Sequence, residues 1–169
     1  MIRLALRGEL GAIKKVYRIA RRFMRDNGNP TQWKGSYPSG KILKNDINSG
    51  NLYVYTENDI IHGVFAFIIG EEKTYARIDN GSWGDHPEPY GTIHRVASDG
   101  AVGGIFGKCV DFCKGKIGCI RVDTHENNSV MRHLIEKHGF QERGIIYVYD
   151  GSPRIAYQYL ATDIPFSGD

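Results

Sequence analysis

Asp123-Thr-His-Glu-Asn-Asn128 runs into Ser129-Val-Met-Arg-His-Leu-Ile-Glu-Lys-His138 and closes on Gly139-Phe140. Met131, Leu134 and Ile135 recur at helical spacing, so Ser129–His138 is predicted to be a helix, capped by Asn128 and stopped by Gly139. Upstream, the apolar run Ile117–Val122 predicts a short buried strand. Residues 104–114 predict a helix with Ile105, Cys109, Phe112 and Cys113 on one face, and Thr92–Ser98 predicts a strand. Between the last two lies Asp99-Gly-Ala-Val-Gly-Gly104. The order is therefore strand, glycine-rich turn, helix, strand, Asn, helix. Glycines at such a turn let the backbone approach a ligand, and the free N–H groups of the helix start then face an anion, typically a pyrophosphate. A tight turn alone would use the same residues.

The flanks extend this pattern. Ile2–Leu6 alternates as a strand. Ile13, Val16, Tyr17, Ala20, Phe23 and Met24 mark the apolar stripe of a helix whose other face carries Lys14, Lys15, Arg18, Arg21, Arg22 and Arg25. That basic face is read as solvated. Ser39 caps a predicted helix through Ile42, Leu43 and Ile47, ended by Gly50. Leu52–Thr56 and Ile60–Ile69 predict a hairpin across Glu57-Asn58-Asp59. Tyr75–Ile78 is assigned to a strand and 79–89 to a loop. Phe140–Tyr149 and Ile155–Leu160 predict a second hairpin, followed by a loose tail over 161–169.

The chain has 169 residues, 41% hydrophobic and 24% charged, with a net charge of +3. That length suits one domain and buries about 70% of the unfolded surface without a disulfide or metal. No apolar run approaches the roughly 18 residues of a membrane helix. The N-terminus has no apolar signal region, and three clustered cysteines (Cys109, Cys113, Cys119) suit a reducing cytoplasm. They are read as buried core residues rather than metal ligands, and no metal is expected. The mild charge gives no reason to expect nucleic acid, although a nucleic-acid-associated protein using the basic helix face stands as a rival.

With these motifs on the page, the chain resembles the GNAT superfamily of acyl-CoA-dependent N-acyltransferases, in a branch of uncharacterised bacterial members. Gly104-Ile-Phe-Gly-Lys-Cys-Val-Asp-Phe112 matches the family's turn and helix, and Asn128 through Glu136-Lys137-His138-Gly139-Phe140 matches its second, more specific block. The resemblance covers nearly the whole chain. It implies an α/β fold with a mixed, mostly antiparallel central sheet and helices on both faces, over a single domain spanning 1–169. It further implies a cytoplasmic N-acetyltransferase that uses acetyl-CoA and transfers its acetyl group directly to a primary amine in a ternary complex. A small-molecule or peptide amine would be the acceptor, and a homodimer is compatible with this reading. Three residues depart from the pattern: Ala101 replaces the usual Arg or Gln, Phe106 a small residue, and Ile135 the frequent general-acid Tyr. Ile135 motivates the alternative of a non-catalytic acyl-CoA-binding or regulatory module.

By resemblance, the pyrophosphate would rest on the turn, at Ala101, Val102, Gly103, Gly104, Ile105, Phe106 and Gly107. The pantetheine would pair along Val96–Ser98, with an N–H of that strand holding the oxyanion. Asn128 would contact the CoA and Lys137 would reach its 3′-phosphate; from the residues alone, Asn128 is a helix cap and Lys137 complements a helix C-terminus. A lysine-like acceptor amine of pKa ~10.4 is almost wholly protonated at pH 7, a deficit of about 4–5 kcal/mol that a base, a water chain or desolvation must cover. Asp123, His125 and Glu126 are candidates, with His94, Tyr37 and Tyr157 beside them. His125 stands first on its pKa range, although a histidine satisfied by a loop would look the same. Trp33, Tyr37, Trp83, Tyr90 and His94 are assigned to the acceptor cleft; the aromatics would equally serve as loop anchors.

Overall fold

The computed structural model describes residues 1–86 and 89–161. Residues 162–169 of the expected tail and 87–88 of the expected loop lie outside the described residues. Along the chain run β1 (Ile2–Leu4), α1 (Leu10–Asp26), α2 (Gly40–Asn48), β2 (Leu52–Glu57), β3 (Ile60–Ile69), β4 (Gly91–Ser98), α3 (Ile105–Lys114), β5 (Cys119–Thr124), α4 (Ser129–Lys137), β6 (Gln141–Tyr147) and β7 (Pro153–Leu160). Among the described residues the strands form one sheet in the order β1-β2-β3-β4-β5-β7-β6, antiparallel throughout except for the β4–β5 pair.

Alternation along the strands sorts the core into two layers. Leu52, Val54, Val64, Ala66 and Ala97 face α1 and α2, where Ile13, Val16, Tyr17, Ala20 and Leu43 meet them. Phe65, Phe67, Ile93, Ile120, Val122 and Tyr157 face α3 and α4, against Ile105, Cys109, Val110, Cys113 and Ile135. Each fully buried aliphatic side chain contributes about 1.5–3 kcal/mol. Ser39 Oγ accepts the Ile42 N–H at 3.2 Å and so starts α2 where the sequence predicts it. Asn58 and Asp59, both at positive φ, turn β2 into β3.

The structure corrects the sequence reading in four places. Phe23 is 52% exposed, because it lies about 80° from the centre of the α1 stripe. Tyr75–Ile78 is not a strand. Glu72 accepts the Thr74 N–H at 3.2 Å and its hydroxyl at 3.0 Å, which winds Lys73–Tyr75 into a 3-10 turn and leaves one bridge, Asp79 to Ile145. β5 starts at Cys119 rather than Ile117, since the N–H groups of Lys116 and Ile117 still bond Cys113 O at the exit of α3. β1 ends at Leu4 because the Leu6 N–H is claimed by Glu9. No helix among the described residues is long and apolar enough to cross a membrane.

Candidate active site

The parallel pair holds for two positions only: Gly91 opposite Ile120 and Thr92 opposite Arg121. Beyond them β4 and β5 part, so among the described residues β4 from Ile93 onward has no strand partner on its β5 side. The parting has a local cause. Where β4 pairs with β3, Val64 meets Ala97 and Ala66 meets His94, so Arg95 and Val96 together oppose Phe65. This is a β-bulge, which bends and twists its strand. Arg95 takes φ +52°, a conformation that costs a non-glycine residue about 1–3 kcal/mol. Its surroundings hold it there. Tyr17 donates its hydroxyl to Arg95 O at 2.7 Å, and the guanidinium donates twice to Asp46 Oδ2, at 3.1 and 2.7 Å. Both charges are largely buried. Asp46→Ala is therefore expected to destabilise the protein by about 3 kcal/mol, because it strands a buried guanidinium; urea unfolding would measure it.

On the α3 side, the turn after β4 presents donors. Asp99 organises it, accepting the Ala101 N–H at 2.9 Å and standing 2.8 Å from His62 Nδ1. Ser98 Oγ accepts the Gly100 N–H at 3.1 Å. The first bond of α3 is Lys108 N–H to Gly104 O, at 3.1 Å. Among the described residues, the N–H groups of Val102, Gly103, Gly104, Ile105, Phe106 and Gly107 find no backbone or side-chain acceptor. That is a nest for an anion at a helix N-terminus. A Cβ added at Gly103 or Gly104 would meet nothing within 4 Å, so the nest is open to a ligand. Ala101 departs from the sequence expectation, since its N–H is already spent on Asp99. Gly107 has another reason to be glycine: a Cβ there would stand 2.7 Å from His138 Cε1. Lys137 is exposed at the end of α4.

On the other face the parted strands open a cavity of about 500 Å³, within the range of small-molecule sites. Its walls include His94, Arg95 and Val96 from β4, Asp123 and Thr124 from β5, Asn128, Trp33 and Tyr37. Trp33 packs between Tyr17 and Tyr37, at 5.7 and 6.2 Å between ring centroids. Asn128 caps α4 as expected, accepting the Met131 N–H at 3.2 Å, and its amide donates to Gln32 Oε1 at 3.1 Å. Tyr75 donates to Asp123 Oδ2 at 2.6 Å.

Other expected residues stand elsewhere. His125 lies outside the cavity wall, and its Nδ1 accepts the Asn127 N–H at 3.0 Å. Partial burial, and then the Arg154 charge, lower its pKa. Tyr157 faces α3 and α4, where its hydroxyl accepts from Arg132 Nε at 3.2 Å. Trp83 and Tyr90 stand behind the wall. Trp83 donates to Tyr75 O at 2.9 Å, Tyr90 Oη accepts the Glu72 N–H at 2.7 Å, and the Arg121 guanidinium covers both rings. They anchor the 72–75 segment. Ile135, at the position of the usual Tyr, is fully buried.

Glu72 enters the site without any warning from the sequence. Its Oε2 lies 3.1 Å from His94 Nε2, and both side chains line the cavity. The hydrogen bond from His94 is the main cause that holds Glu72 down at about 2, against the opposing effect of burial. The ionised carboxylate can only accept, so His94 Nε2 carries the proton and neutral His94 has its lone pair on Nδ1. Its depressed value makes Glu72 stabilising above pH 4.5, an effect lost as pH falls toward 2.

The structure thus sets unpaired N–H groups at the start of α3 beside a cavity that holds a His–Glu pair, at the place where β4 and β5 part. No family profile matches the sequence, and no curated protein does. Solved structures do. A GNAT-family acetyltransferase from Streptococcus agalactiae is 30% identical, with 96% of each chain covered and a TM-score of 0.87. A ribosomal-protein-alanine N-acetyltransferase from Brucella melitensis shares the fold at 16% identity, with 95% of this chain and 99% of that one covered and a TM-score of 0.59. So does a chain of the NatC complex bound to Gag peptide and CoA, at 14% identity, 96% and 98% coverage and a TM-score of 0.61. The chain belongs to the GNAT family of acetyltransferases.

Proposed function

We propose that the protein transfers the acetyl group of acetyl-CoA to a primary amine by direct attack in a ternary complex. The observation that carries this reading is the gap between β4 and β5, with the free N–H nest on one side and the His94–Glu72 pair on the other. In this reading the nest from Val102 to Gly107 holds the pyrophosphate, and the thioester enters along Val96–Ser98. A backbone N–H of the Arg95–Val96 bulge receives the carbonyl oxygen, a contact typically worth about 3 kcal/mol in the transition state. His94 Nδ1 takes the proton of the acceptor ammonium while Glu72 steadies the imidazolium. The amine nitrogen bonds the acetyl carbon, the C–S bond breaks, and CoA leaves as a thiolate, which takes up the second proton that the nitrogen sheds as it becomes an amide. A thiol pKa of ~8.5 makes that departure feasible without the hydroxyl that Ile135 lacks.

Incubation with acetyl-CoA and a pool of primary amines tests the reading: free CoA thiol should appear together with an acetylated amine in equal amount. Binding of acetyl-CoA without turnover would favour a non-catalytic acyl-CoA-binding module, the reading that buried Ile135 supports.

No acyl-enzyme is required. Cys109, Cys113 and Cys119 are buried, and burial pushes the Cys109 thiol up to about 12. Mass spectrometry after acetyl-CoA treatment is expected to find all three unacetylated; a thioester on any of them would contradict direct transfer.

A further inference from the structure

Arg154 is a buried cation without a counter-charge. It sits on β7, is 7% exposed, and lines the cavity. Nη1 donates to Pro153 O at 2.9 Å and Nη2 to Gln32 O at 3.4 Å, both neutral carbonyls. No carboxylate among the described residues pairs with it. The other cations of the cavity are matched, Lys34 with Asp150 and Arg95 with Asp46, and His94 is hydrogen-bonded to Glu72. An unpaired buried guanidinium is costly to keep. Its planar fork fits a carboxylate with two parallel hydrogen bonds.

The strand register supplies the complement. Asp123 stands opposite Ala156, and Arg154 is two residues along the same strand. The two side chains therefore project from the same face on a diagonal of roughly 7–8 Å. Among the described residues Asp123 accepts one hydrogen bond, from Tyr75, and has no salt-bridge partner. The cavity thus offers one unmatched negative and one unmatched positive group, a short distance apart, with Trp33 and Tyr37 on a further wall.

We propose that the acetyl acceptor is an α-amino acid, its amine held at Asp123 and His94 and its carboxylate on Arg154. One unmatched cation suits one negative charge, which favours a carboxylate over a doubly charged phosphate. The identity of the acceptor rests on the acetyl-transfer reading; the binding of the zwitterion does not.

The experiment uses matched pairs that differ by the carboxylate: tyrosine and tyramine, tryptophan and tryptamine, histidine and histamine. Calorimetry on the CoA-saturated protein measures binding, and a thiol-release assay measures transfer. At least one amino acid is expected to outdo its amine by about 10- to 100-fold, the range for a hydrogen bond to a charged group. In Arg154→Gln that ratio is expected to collapse toward one, and in Arg154→Lys to survive in part. The ligand-free Arg154→Gln protein should melt no lower than the wild type, since an unpaired buried charge has been removed. A zwitterion preference in binding with no transfer to any pair would uphold this site and contradict the transfer reading. Equal or better binding of the amines overturns this inference whether or not transfer occurs, and so does a lower melting temperature for Arg154→Gln, which would make the arginine structural.

Discussion

Gly103→Asp is expected to weaken acetyl-CoA binding by two to three decades while the protein stays folded. A Cβ at Gly103 meets nothing within 4 Å, and its φ lies outside the left-handed region, so aspartate fits without strain. A carboxylate at the start of α3 is favourable for the helix by itself. It would, however, face the pyrophosphate across the nest. Two unit charges ~4 Å apart repel by about 4 kcal/mol at an effective dielectric near 20, and each decade of affinity is about 1.4 kcal/mol. Gly104 would be the poorer site to test, because its φ of +72° strains any side chain. Ala101→Arg, which restores the family's usual residue, should hold or tighten binding. Calorimetry with circular dichroism as the folding control decides: a folded Gly103→Asp protein that binds like the wild type would move the pyrophosphate away from this turn.

The second large effect concerns His94. His94→Gln should lower transfer by about 10² to 10⁴, the usual contribution of a positioned base, with acetyl-CoA affinity retained. The defect should shrink as pH rises toward the pKa of the acceptor amine, because free amine then appears without a base, tenfold more per unit of pH. Glu72→Gln should show a smaller loss of the same form, since Glu72 at about 2 is ionised throughout the working range and acts through His94. His125→Gln should matter less, with Nδ1 already tied to the Asn127 N–H. A pH–rate series on the three variants checks the order. A His94→Gln protein as active as the wild type would return the base to Asp123 or to bound water.

How much of this was legible in the sequence follows from how local each signal is. The Asn128 cap, the Ser39 cap and the Asn58-Asp59 turn are decided within four residues, and each appears where the sequence places it. The glycine turn is equally local, and only the role of Ala101 changed, because Asp99 reaches back to its N–H. The 70–90 segment failed for the opposite reason. Tyr75 looks like a strand residue, yet its place is set by Asp123, 48 positions away, and by the Trp83 and Tyr90 rings. Glu72 meets His94 only after that segment folds over β4. Arg154 carries no local signal; its Nη2 donates to Gln32 O, 122 positions away. His125 drew attention for its residue type, but β5 ends one residue before it. The fold was carried by periodicity and caps, while the acid–base pair and Arg154 depend on contacts that no short window contains.

The central claim is that acetyl-CoA threads the gap between β4 and β5. Amide-resolved nuclear magnetic resonance during an acetyl-CoA titration tests it most directly. The Val102–Gly107 amides and those of Arg95 and Val96 are expected to move together, saturate at one equivalent, and be accompanied by His94 but not by the α1 basic face. Saturable binding that leaves the Val102–Gly107 amides unmoved, or no binding at millimolar acetyl-CoA, would contradict it.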